Sequence, residues 1–471
     1  MLKAGAFEMV DVAIIGAGPA GYVAAIRAAQ LGAEVVLVEK DEVGGVCLNR
    51  GCVPTKAVLE SANLLSRIAK AAKYGISVDN VSTDISSIMQ RKNGIVKRIV
   101  ASTRRLIESY DVEIVEGTAT VTGSREVTVA GSSSVKKIEA NNIIIATGSE
   151  PAPLRVLGLE TARIITSDEA LAMEDLPRSL LVIGGGAIGI EFACMFNRLG
   201  ASVTLVEMMS QLLPGEDEEM ASFLQHLLEE DGVNVLTNAR VTGIERKKDE
   251  TAVVVEARNG ERTATAEEIL VAVGRVPKTD CLGIDDIKID ERRRIVVDKR
   301  MRTNIPNIYA IGDAVGRYML AHVASAEAIV AAENVMGTDV EIDYCAVPRC
   351  VYTSPEVASV GLTEKQAKMS GHQITVGRFS LLNNSRALTL SEDRGGIKVI
   401  ADAGSGEILG IHMIGSKASE MIHQAALAIR LEATVEDVAD MIYAHPTVSE
   451  SLKEAALDAT GRSIHKVRSK T

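Results

Sequence analysis

The stretch 10–39, "VDVAIIGAGPAGYVAAIRAAQLGAEVVLVE", decides the fold, because it holds every part of a β-α-β unit in order. Gly16, Gly18 and Gly21 form a GxGxxG loop between a short apolar run and a helical stretch, and a second apolar run ends at Glu39. Such glycines let a pyrophosphate approach the helix N-terminus, and the terminal acid binds ribose hydroxyls. The stretch therefore predicts a Rossmann-like dinucleotide-binding domain.

A second copy of this unit lies at 178–207, "RSLLVIGGGAIGIEFACMFNRLGASVTLVE", and it aligns with the first without a gap. Its equivalents of the three glycines and the acid are Gly184, Gly186, Gly189 and Glu207. A lone GxGxxG is weak evidence, but the complete unit repeated predicts two dinucleotide sites. A carboxylate at Glu207 repels a 2′-phosphate, so the second site is predicted to prefer NAD over NADP.

The composition is that of an ordinary globular chain, with 471 residues, of which 46% are hydrophobic and 24% charged. A net charge of −12 argues against nucleic-acid binding, which needs a basic surface. The sequence has no apolar run of about 18 residues, so no membrane association is expected. The short, mixed N-terminus and the sparse cysteines predict a cytoplasmic, reducing location.

The order of patterns along the chain predicts an α/β protein with two Rossmann-like dinucleotide-binding domains and a C-terminal α+β interface domain. Alternating runs such as "HQITVGRFSL" and "GIKVIAD" near the C-terminus indicate an antiparallel sheet. We expect the first dinucleotide domain at 1–150 and again at 277–345, the second at 151–276, and the interface domain at 346–471.

Two cysteines lie close together in "GGVCLNRGCVPTK" (44–56), where Cys47 and Cys52 could form a zinc site, a staple, a redox pair or inert core. Zinc needs two further ligands, and a disulfide that closes so short a loop stabilises little. Inert burial stays open, but a helix N-terminus and Lys56 should lower the thiol pKa and favour exchange chemistry. A dithiol beside a dinucleotide site indicates electron transfer to a flavin, so the first site is predicted to hold FAD.

Three further residues carry predicted chemistry. His445 in "AHPTVSESL" is the best candidate for a general base, with Glu450 to orient its ring, although a structural His-Pro loop is the alternative. His226 and His465 are expected on the surface. Asp313 follows the apolar run of "NIPNIYAIGDAV", where it lies either in a ligand crevice or in an ordinary turn.

Together these motifs resemble the flavin-dependent pyridine nucleotide–disulfide oxidoreductases over nearly the whole chain, and most closely those members that oxidise dihydrolipoamide. Further matching motifs are "ATGS", "VGRVPKT", "IYAIGDAV", "MLAH" and "YTSPEVASVGLTE". The resemblance implies FAD contacts at Gly16, Gly18, Gly21, Glu39, Lys56, Ala119, Thr147, Gly148, Asp313 and Ala321. It implies NAD contacts at Gly184, Gly186, Gly189, Glu207, Val241 and Gly274.

The resemblance also implies catalytic roles. Cys47 matches the thiol that meets substrate, and Cys52 matches the thiol beside the flavin. His445 matches the base held by Glu450, and Lys56 matches a flavin-side lysine that pairs with Glu191. The implied C-terminal domain is a dimerisation domain, and the His–Glu pair of one subunit reaches the disulfide of the other in a homodimer. The implied partner is a lipoyl-bearing protein of a 2-oxo acid dehydrogenase or glycine-cleavage complex.

Two residues depart from the family pattern: Val46 stands in place of a threonine, and Ala328 in place of a glycine. The loss of a hydroxyl at Val46 is expected to shift affinity or redox potential only slightly. Two alternative functions stay open, namely another NAD(P)H-dependent disulfide reductase of the same family and a non-catalytic flavoprotein subunit.

Overall fold

The computed structural model describes residues 9–132, 134–158, 164–247, 250–258, 260–284 and 286–467. The chain divides into two compact units, each made of three segments. Unit 1 comprises Met1–Val58, Ser86–Pro153 and Gly274–Asp343. Unit 2 comprises Leu59–Ile85, Leu154–Val273 and Tyr344–Thr471.

Unit 1 contains the first β-α-β unit. Its strands are β1 (Val10–Ile15), β2 (Val35–Glu39), β3 (Glu113–Glu116), β4 (Thr118–Gly123), β5 (Glu126–Ala130), β6 (Val135–Ile145), β7 (Ser149–Pro151), β16 (Arg275–Pro277) and β17 (Ile308–Ala310). Its helices are α1 (Pro19–Gln30), α2 (Gly45–Asn49), α4 (Ile85–Glu108), α8 (Ala321–Val335) and the start of α3 (Cys52–Ala69).

The main sheet of unit 1 has the order β3-β2-β1-β6, with β17 also paired to β6, and these strands run parallel. The first half of β6 pairs with β5 in the antiparallel sense, and β5 pairs with β4. Strands β1 and β2 are almost completely buried, as expected for a parallel sheet covered on both faces. This arrangement brings the carboxyl ends of β1, β6 and β17 to one edge of the sheet.

Unit 2 contains the second β-α-β unit and the C-terminal region. Its strands are β8 (Ile164–Ile165), β9 (Ser179–Ile183), β10 (Ser202–Val206), β11 (Asn234–Leu236), β12 (Ala239–Arg246), β13 (Thr251–Ala257), β14 (Gly260–Ala266), β15 (Glu268–Val271), β18 (Arg349–Val351), β19 (Glu356–Gly361), β20 (Ile374–Ser380), β21 (Gly396–Asp402) and β22 (Ile408–Gly415). Its helices are α5 (Ser167–Ala170), α6 (Ala187–Leu199), α7 (Glu218–Glu230), α9 (Glu364–Met369), α10 (Ser385–Thr389), α11 (Ala418–Arg430), α12 (Val435–Asp440) and α13 (Glu450–Ala459).

The described residues of unit 2 form three sheets. A parallel sheet of order β11-β10-β9-β15-β8 carries the second glycine loop, and β12, β13 and β14 form an antiparallel sheet. The C-terminal region forms an antiparallel sheet of order β18-β19-β22-β21-β20. Its buried face packs against α11, α12 and α13 around residues such as Ile411 and Leu452.

The predicted fold class is confirmed, with two Rossmann-like regions and a C-terminal α+β region. The predicted domain boundaries stay predictions. Within the part of the chain that the structure describes, no helix combines the length and apolar character needed to cross a bilayer.

Candidate active site

The first glycine loop joins β1 to α1, and each of its glycines has a different surrounding. Gly16 has a positive φ of 99°, and a Cβ there would lie 2.4 Å from the carbonyl oxygen of Ala146. A Cβ on Gly21 would lie 1.7 Å from the Gly16 carbonyl oxygen, so neither position can carry a side chain. A Cβ on Gly18 would meet no described atom within 4 Å. The loop is thus tightly packed at Gly16 and Gly21 and open at Gly18, as a pyrophosphate cradle requires.

The second glycine loop repeats this geometry between β9 and α6. Gly184 has a φ of 114°, and a Cβ there would lie 2.3 Å from the carbonyl oxygen of Ala272. A Cβ on Gly189 would lie 1.9 Å from the Gly184 carbonyl oxygen, whereas one on Gly186 would meet no described atom within 4 Å. The two loops therefore have the same shape for the same physical reasons.

The acid at the end of each second strand is held in place by backbone N–H groups. Glu39 Oε2 accepts the Ala17 N–H at 2.7 Å, and its Oε1 accepts two further N–H groups after the strand. Glu207 Oε2 accepts the Gly185 N–H at 2.6 Å, and Oε1 accepts the Met209 N–H at 2.7 Å. Because a carboxylate offers about four acceptor positions, both acids retain capacity for a ribose hydroxyl.

The cysteine segment lies directly on the first glycine loop. The Gly44 N–H donates to the Ala17 carbonyl at 2.8 Å, and a Cβ on Gly45 would lie 2.8 Å from the Gly18 Cα. Cys47 lies on the short helix α2, and Cys52 is the first residue of α3. Glycines at 44 and 45 thus allow the close approach that places the cysteine segment beside the first glycine loop.

The two cysteine side chains interact. A hydrogen bond with Cys52 and burial both raise the pKa of the Cys47 thiol, and the charge of Lys56 lowers it by less. The expectation that the helix and Lys56 leave this thiol acidic is therefore wrong for Cys47, because the neighbouring thiol and burial outweigh the lysine.

Asp313 follows β17 in a short turn at the carboxyl edge of the main sheet. Ser149 Oγ donates to Asp313 Oδ2 at 2.5 Å, and Arg275 Nε donates to Ser149 Oγ at 2.7 Å. Burial raises the pKa of Asp313, although the Ser149 hydrogen bond and the Arg275 charge lower it in part. A half-buried carboxyl at this edge is suited to a hydroxyl-rich ligand rather than to an ordinary turn.

The remaining predicted FAD contacts also belong to unit 1. Thr147 Oγ1 donates to the Lys278 carbonyl at 2.6 Å, and Gly148 has a positive φ of 74° beside it. Ala119 is buried in β4, Ala321 begins α8, and Lys56 lies in the first turns of α3. Their contacts with a cofactor stay predictions.

Val241 and Gly274, the remaining predicted NAD contacts, and Glu191 each lie in or beside a regular element. Val241 is buried in β12, and Gly274, with a φ of 115°, precedes β16. Glu191 is buried in α6, where Oε1 accepts the Tyr352 N–H at 3.0 Å. The predicted pairing of Glu191 with Lys56 stays a prediction.

The predicted base and its carboxylate lie side by side at the start of α13. His445 Nδ1 lies 3.0 Å from Glu450 Oε1, and Glu450 Oε2 accepts the Thr447 N–H at 2.9 Å. Burial opposes ionisation of Glu450, but the Thr447 and His445 hydrogen bonds outweigh it and hold its pKa below the ordinary range. The imidazole is 71% exposed, so Nε2 remains available for proton transfer.

Sequence reasoning missed several residues that shape these sites. Ser149 contacts Asp313 directly, and Arg275 does so through Ser149. In the sequence, the only sign of these two residues was their place in the "ATGS" and "VGRVPKT" motifs. Glu327, which is 1% exposed, accepts the Gly312 N–H at 2.7 Å and so fixes the turn that carries Asp313. A charged residue in the apolar helix α8 was the available sign of this role.

Comparison with known proteins matches two family models to the chain. The model "Pyridine nucleotide-disulphide oxidoreductase" matches residues 10–328, and that family's "dimerisation domain" matches residues 347–456. Curated dihydrolipoyl dehydrogenases are similar over nearly the full chain. That of Bacillus subtilis (strain 168) is 41% identical, covering 97% of this chain and 100% of the relative. That of Thermus scotoductus is 42% identical, covering 97% and 98%.

Solved structures give the same result. The structure of LpdA from Mycobacterium tuberculosis matches with a TM-score of 0.88 at 28% identity, covering 95% of this chain and 99% of that one. The HOCl-induced flavoprotein disulfide reductase RclA from Escherichia coli matches with a TM-score of 0.84 at 28% identity, covering 95% and 99%. The resemblance predicted from the sequence motifs is thereby confirmed, and so are FAD and NAD as the cofactors. The match to the dimerisation domain supports the predicted homodimer. The chain belongs to the pyridine nucleotide–disulphide oxidoreductase family.

Proposed function

We propose that this chain is a dihydrolipoyl dehydrogenase, which oxidises dihydrolipoamide to lipoamide and reduces NAD. The observation that carries the proposal is the interacting Cys47–Cys52 pair, seated on the first glycine loop in a chain whose full-length relatives have this activity. The matched dimerisation domain supports a homodimer.

The residues around the first glycine loop fit FAD. The open space at Gly18 suits the pyrophosphate, Glu39 suits the ribose, and the half-buried Asp313 suits the ribitol hydroxyls. Thr147, Gly148, Ala119, Ala321 and Lys56 complete the proposed FAD set. When bound, FAD accepts the electron pair of the reduced cysteines and passes it to NAD as a hydride.

Proton transfer from substrate is assigned to His445. Because Glu450 holds Nδ1, the imidazole presents Nε2 to the substrate thiol and removes its proton there. The Glu450 carboxylate stabilises the resulting imidazolium charge. In the proposed homodimer this pair serves the disulfide of the partner subunit.

The exchange steps balance on the two cysteines. The substrate thiolate attacks Cys47 Sγ, the Cys47–Cys52 bond breaks, and Cys52 leaves with the electron pair as a thiolate. The second substrate thiol then loses its proton and attacks the first substrate sulfur, so that Cys47 leaves and lipoamide is released. Two electrons have moved from substrate to the cysteine pair, and Cys47 takes up a proton, in agreement with its raised pKa.

The second glycine loop is proposed to bind NAD. Gly186 leaves room for the pyrophosphate, and the Glu207 carboxylate binds the ribose and opposes a 2′-phosphate. Gly184, Gly189, Val241 and Gly274 complete this set. We further propose a cytoplasmic location and a lipoyl-bearing partner protein of a 2-oxo acid dehydrogenase or glycine-cleavage complex.

The test is a substrate panel with purified holoenzyme. Dihydrolipoamide with NAD should turn over efficiently, NADP should be a poor acceptor, and glutathione disulfide with NADH should be a poor substrate. Cys47→Ser should abolish dihydrolipoamide turnover while FAD stays bound, and Cys345→Ser, at an exposed cysteine, is the control. Efficient reduction of another disulfide without dihydrolipoamide turnover would overturn the proposal in favour of a different reductase, for which the likeness to RclA is the supporting observation. An inert holoenzyme would favour a non-catalytic subunit.

A further inference from the structure

Helix α13 carries two glutamates one turn apart, and each is hydrogen-bonded to Nδ1 of a histidine. Glu450 Oε1 lies 3.0 Å from His445 Nδ1, as described above, and Glu454 Oε1 lies 2.8 Å from His465 Nδ1. The Glu454 side chain is 7% exposed, compared with 27% for Glu450. A second and more buried His–Glu pair therefore lies next to the proposed catalytic pair.

Glu454 is the anchor of the segment that follows α13, residues 461–467, which we name the C-terminal strap. Its Oε2 accepts the Ser463 hydroxyl at 2.7 Å, the Ile464 N–H at 3.0 Å and the His465 N–H at 3.1 Å. The strap begins with the Arg462 N–H donating to the Leu457 carbonyl at 2.8 Å, so it turns back along the helix. A buried carboxylate without these partners would be costly, so Glu454 and the strap hold each other in place.

The strap acts on the part of the helix that carries Glu450. Residues four apart on a helix are neighbours, with Cβ atoms roughly 5–6 Å apart. The charge of His465 also contributes, after the Thr447 and His445 hydrogen bonds, to the lowered pKa of Glu450. Within the described residues, Ser449 makes no side-chain capping bond to the first turn of α13, so this turn depends on its other contacts.

We propose that Glu454 and His465 are positioning residues for the proposed reaction: they clamp the C-terminal strap against α13 and thereby fix the Glu450 carboxylate that orients His445. The inference rests on the proposed function, since it acts through His445. Neither residue touches substrate in this account, and neither exchanges a proton with it.

The test compares two activities of the same holoenzyme variants. Oxidation of dihydrolipoamide with NAD needs His445, whereas oxidation of NADH by ferricyanide bypasses it. Glu454→Ala should lower kcat for dihydrolipoamide at least about tenfold with little change in KM, because even a 1 Å misplacement costs on the order of 100-fold. NADH–ferricyanide activity and FAD content should stay within about twofold of wild type, since the bypass needs no oriented base.

Two conservative variants and a control sharpen the result. Glu454→Gln keeps an acceptor oxygen for the strap N–H groups, so it should retain most of the wild-type kcat. The kcat of His465→Asn should lie between those of Glu454→Gln and Glu454→Ala. His372→Asn, which breaks the half-buried His372–Asp402 pair elsewhere in the same region, should change neither activity.

A Glu454→Ala enzyme whose kcat for dihydrolipoamide is within twofold of wild type would overturn the proposal. A parallel loss of dihydrolipoamide and NADH–ferricyanide activities in Glu454→Ala would also overturn it, because such a loss would show a merely structural role. Equal losses of kcat in Glu454→Gln and Glu454→Ala would overturn it as well. A wild-type enzyme without dihydrolipoamide turnover would instead overturn the proposed function, which keeps the two failures distinct.

Discussion

Glu450 makes two kinds of bond to the loop that carries His445: its Oε1 and Oε2 lie 3.0 and 3.2 Å from His445 Nδ1, and Oε2 also accepts the Thr447 N–H at 2.9 Å. The bond from the Thr447 N–H fixes the loop that carries His445, so the ring and its carboxylate keep one geometry. In the proposed reaction, this relationship determines which nitrogen of His445 is offered to substrate.

Removal of this carboxylate should impair proton transfer. Glu450→Ala should lower kcat for dihydrolipoamide by about 100-fold, within the range that an oriented general base contributes. NADH–ferricyanide activity should be retained, and Glu432→Ala, at an exposed position, is the control. Full activity of Glu450→Ala in stopped-flow reduction by dihydrolipoamide would contradict the assigned role.

The Ser149–Asp313 hydrogen bond should support FAD binding. Ser149→Ala leaves the half-buried Asp313 without its hydroxyl donor and Arg275 without one acceptor. A hydrogen bond to a charged group is worth about 1.5–3 kcal/mol, so the FAD dissociation constant should rise at least about tenfold. Fluorescence of released FAD measures this, with the exposed Ser109→Ala as control. Unchanged FAD retention would argue against Asp313 as a cofactor contact.

Glu207 should decide between NAD and NADP. Glu207→Arg replaces a carboxylate that repels a 2′-phosphate by a cation that accommodates it. The ratio of kcat/KM for NAD to that for NADP should fall at least about tenfold. Glu229→Arg, an exposed charge reversal on α7, should leave the ratio unchanged. The ribose assignment fails if Glu207→Arg gives the wild-type ratio.

A buried ion cluster in unit 2 should govern stability. Lys398, whose side chain is 3% exposed, donates to Asp217 at 2.9 and 3.0 Å and lies 2.8 Å from Glu364. Lys398→Met leaves the buried Asp217 carboxylate without its ion-pair partner and should lower the free energy of unfolding by about 3–5 kcal/mol. Lys365→Met removes an exposed pair with Glu218 and should cost no more than about 1 kcal/mol. Thermal unfolding of the holoenzymes compares them, and equal shifts would refute the account.

The pH dependence of this cluster has a definite sign. Hydrogen bonds from Lys368 and Lys398 lower the pKa of Glu364 from 4.5 to about 2. The pKa of Asp217 is also lowered, because burial raises it by less than the Lys398 hydrogen bond and the other interactions of the carboxylate lower it. Depressed carboxyl pKa values stabilise the fold above the unfolded-state pKa, and this stability is lost as pH falls through the folded-state pKa. The difference between wild type and Lys398→Met should therefore be constant near neutral pH and shrink as pH falls from 4.5 toward 2. A difference that stays constant down to pH 2 would contradict this assignment.

The sequence predicted those features that are local or repeated. The two β-α-β units, their glycines and the cysteine segment are each contained within about 40 residues, so spacing alone revealed them. His445 and Glu450 lie five residues apart, and the loop and the first turn of one helix place them together.

The sequence did not reveal contacts between distant segments. Lys398 and Asp217 are 181 positions apart, and Ser149 and Asp313 are 164 apart, so only the folded sheet brings them together. His465 is 70% exposed, as predicted for a surface residue, but its bond to Glu454 depends on the path of the strap. The thiol pKa of Cys47 was also beyond reach, because it depends on the distance to Cys52 and not on composition.

The central claim is that substrate electrons enter through a Cys47–Cys52 bond, and thiol counting tests it most directly. The chain has six cysteines, so the oxidised holoenzyme, denatured anaerobically, should give four reactive thiols. A second sample is treated with one equivalent of dihydrolipoamide, and lipoamide and excess substrate are removed before denaturation. Its thiol count should rise to six, and mass spectrometry should map the two new thiols to Cys47 and Cys52. A count that dihydrolipoamide does not change, or new thiols at other cysteines, would contradict the account.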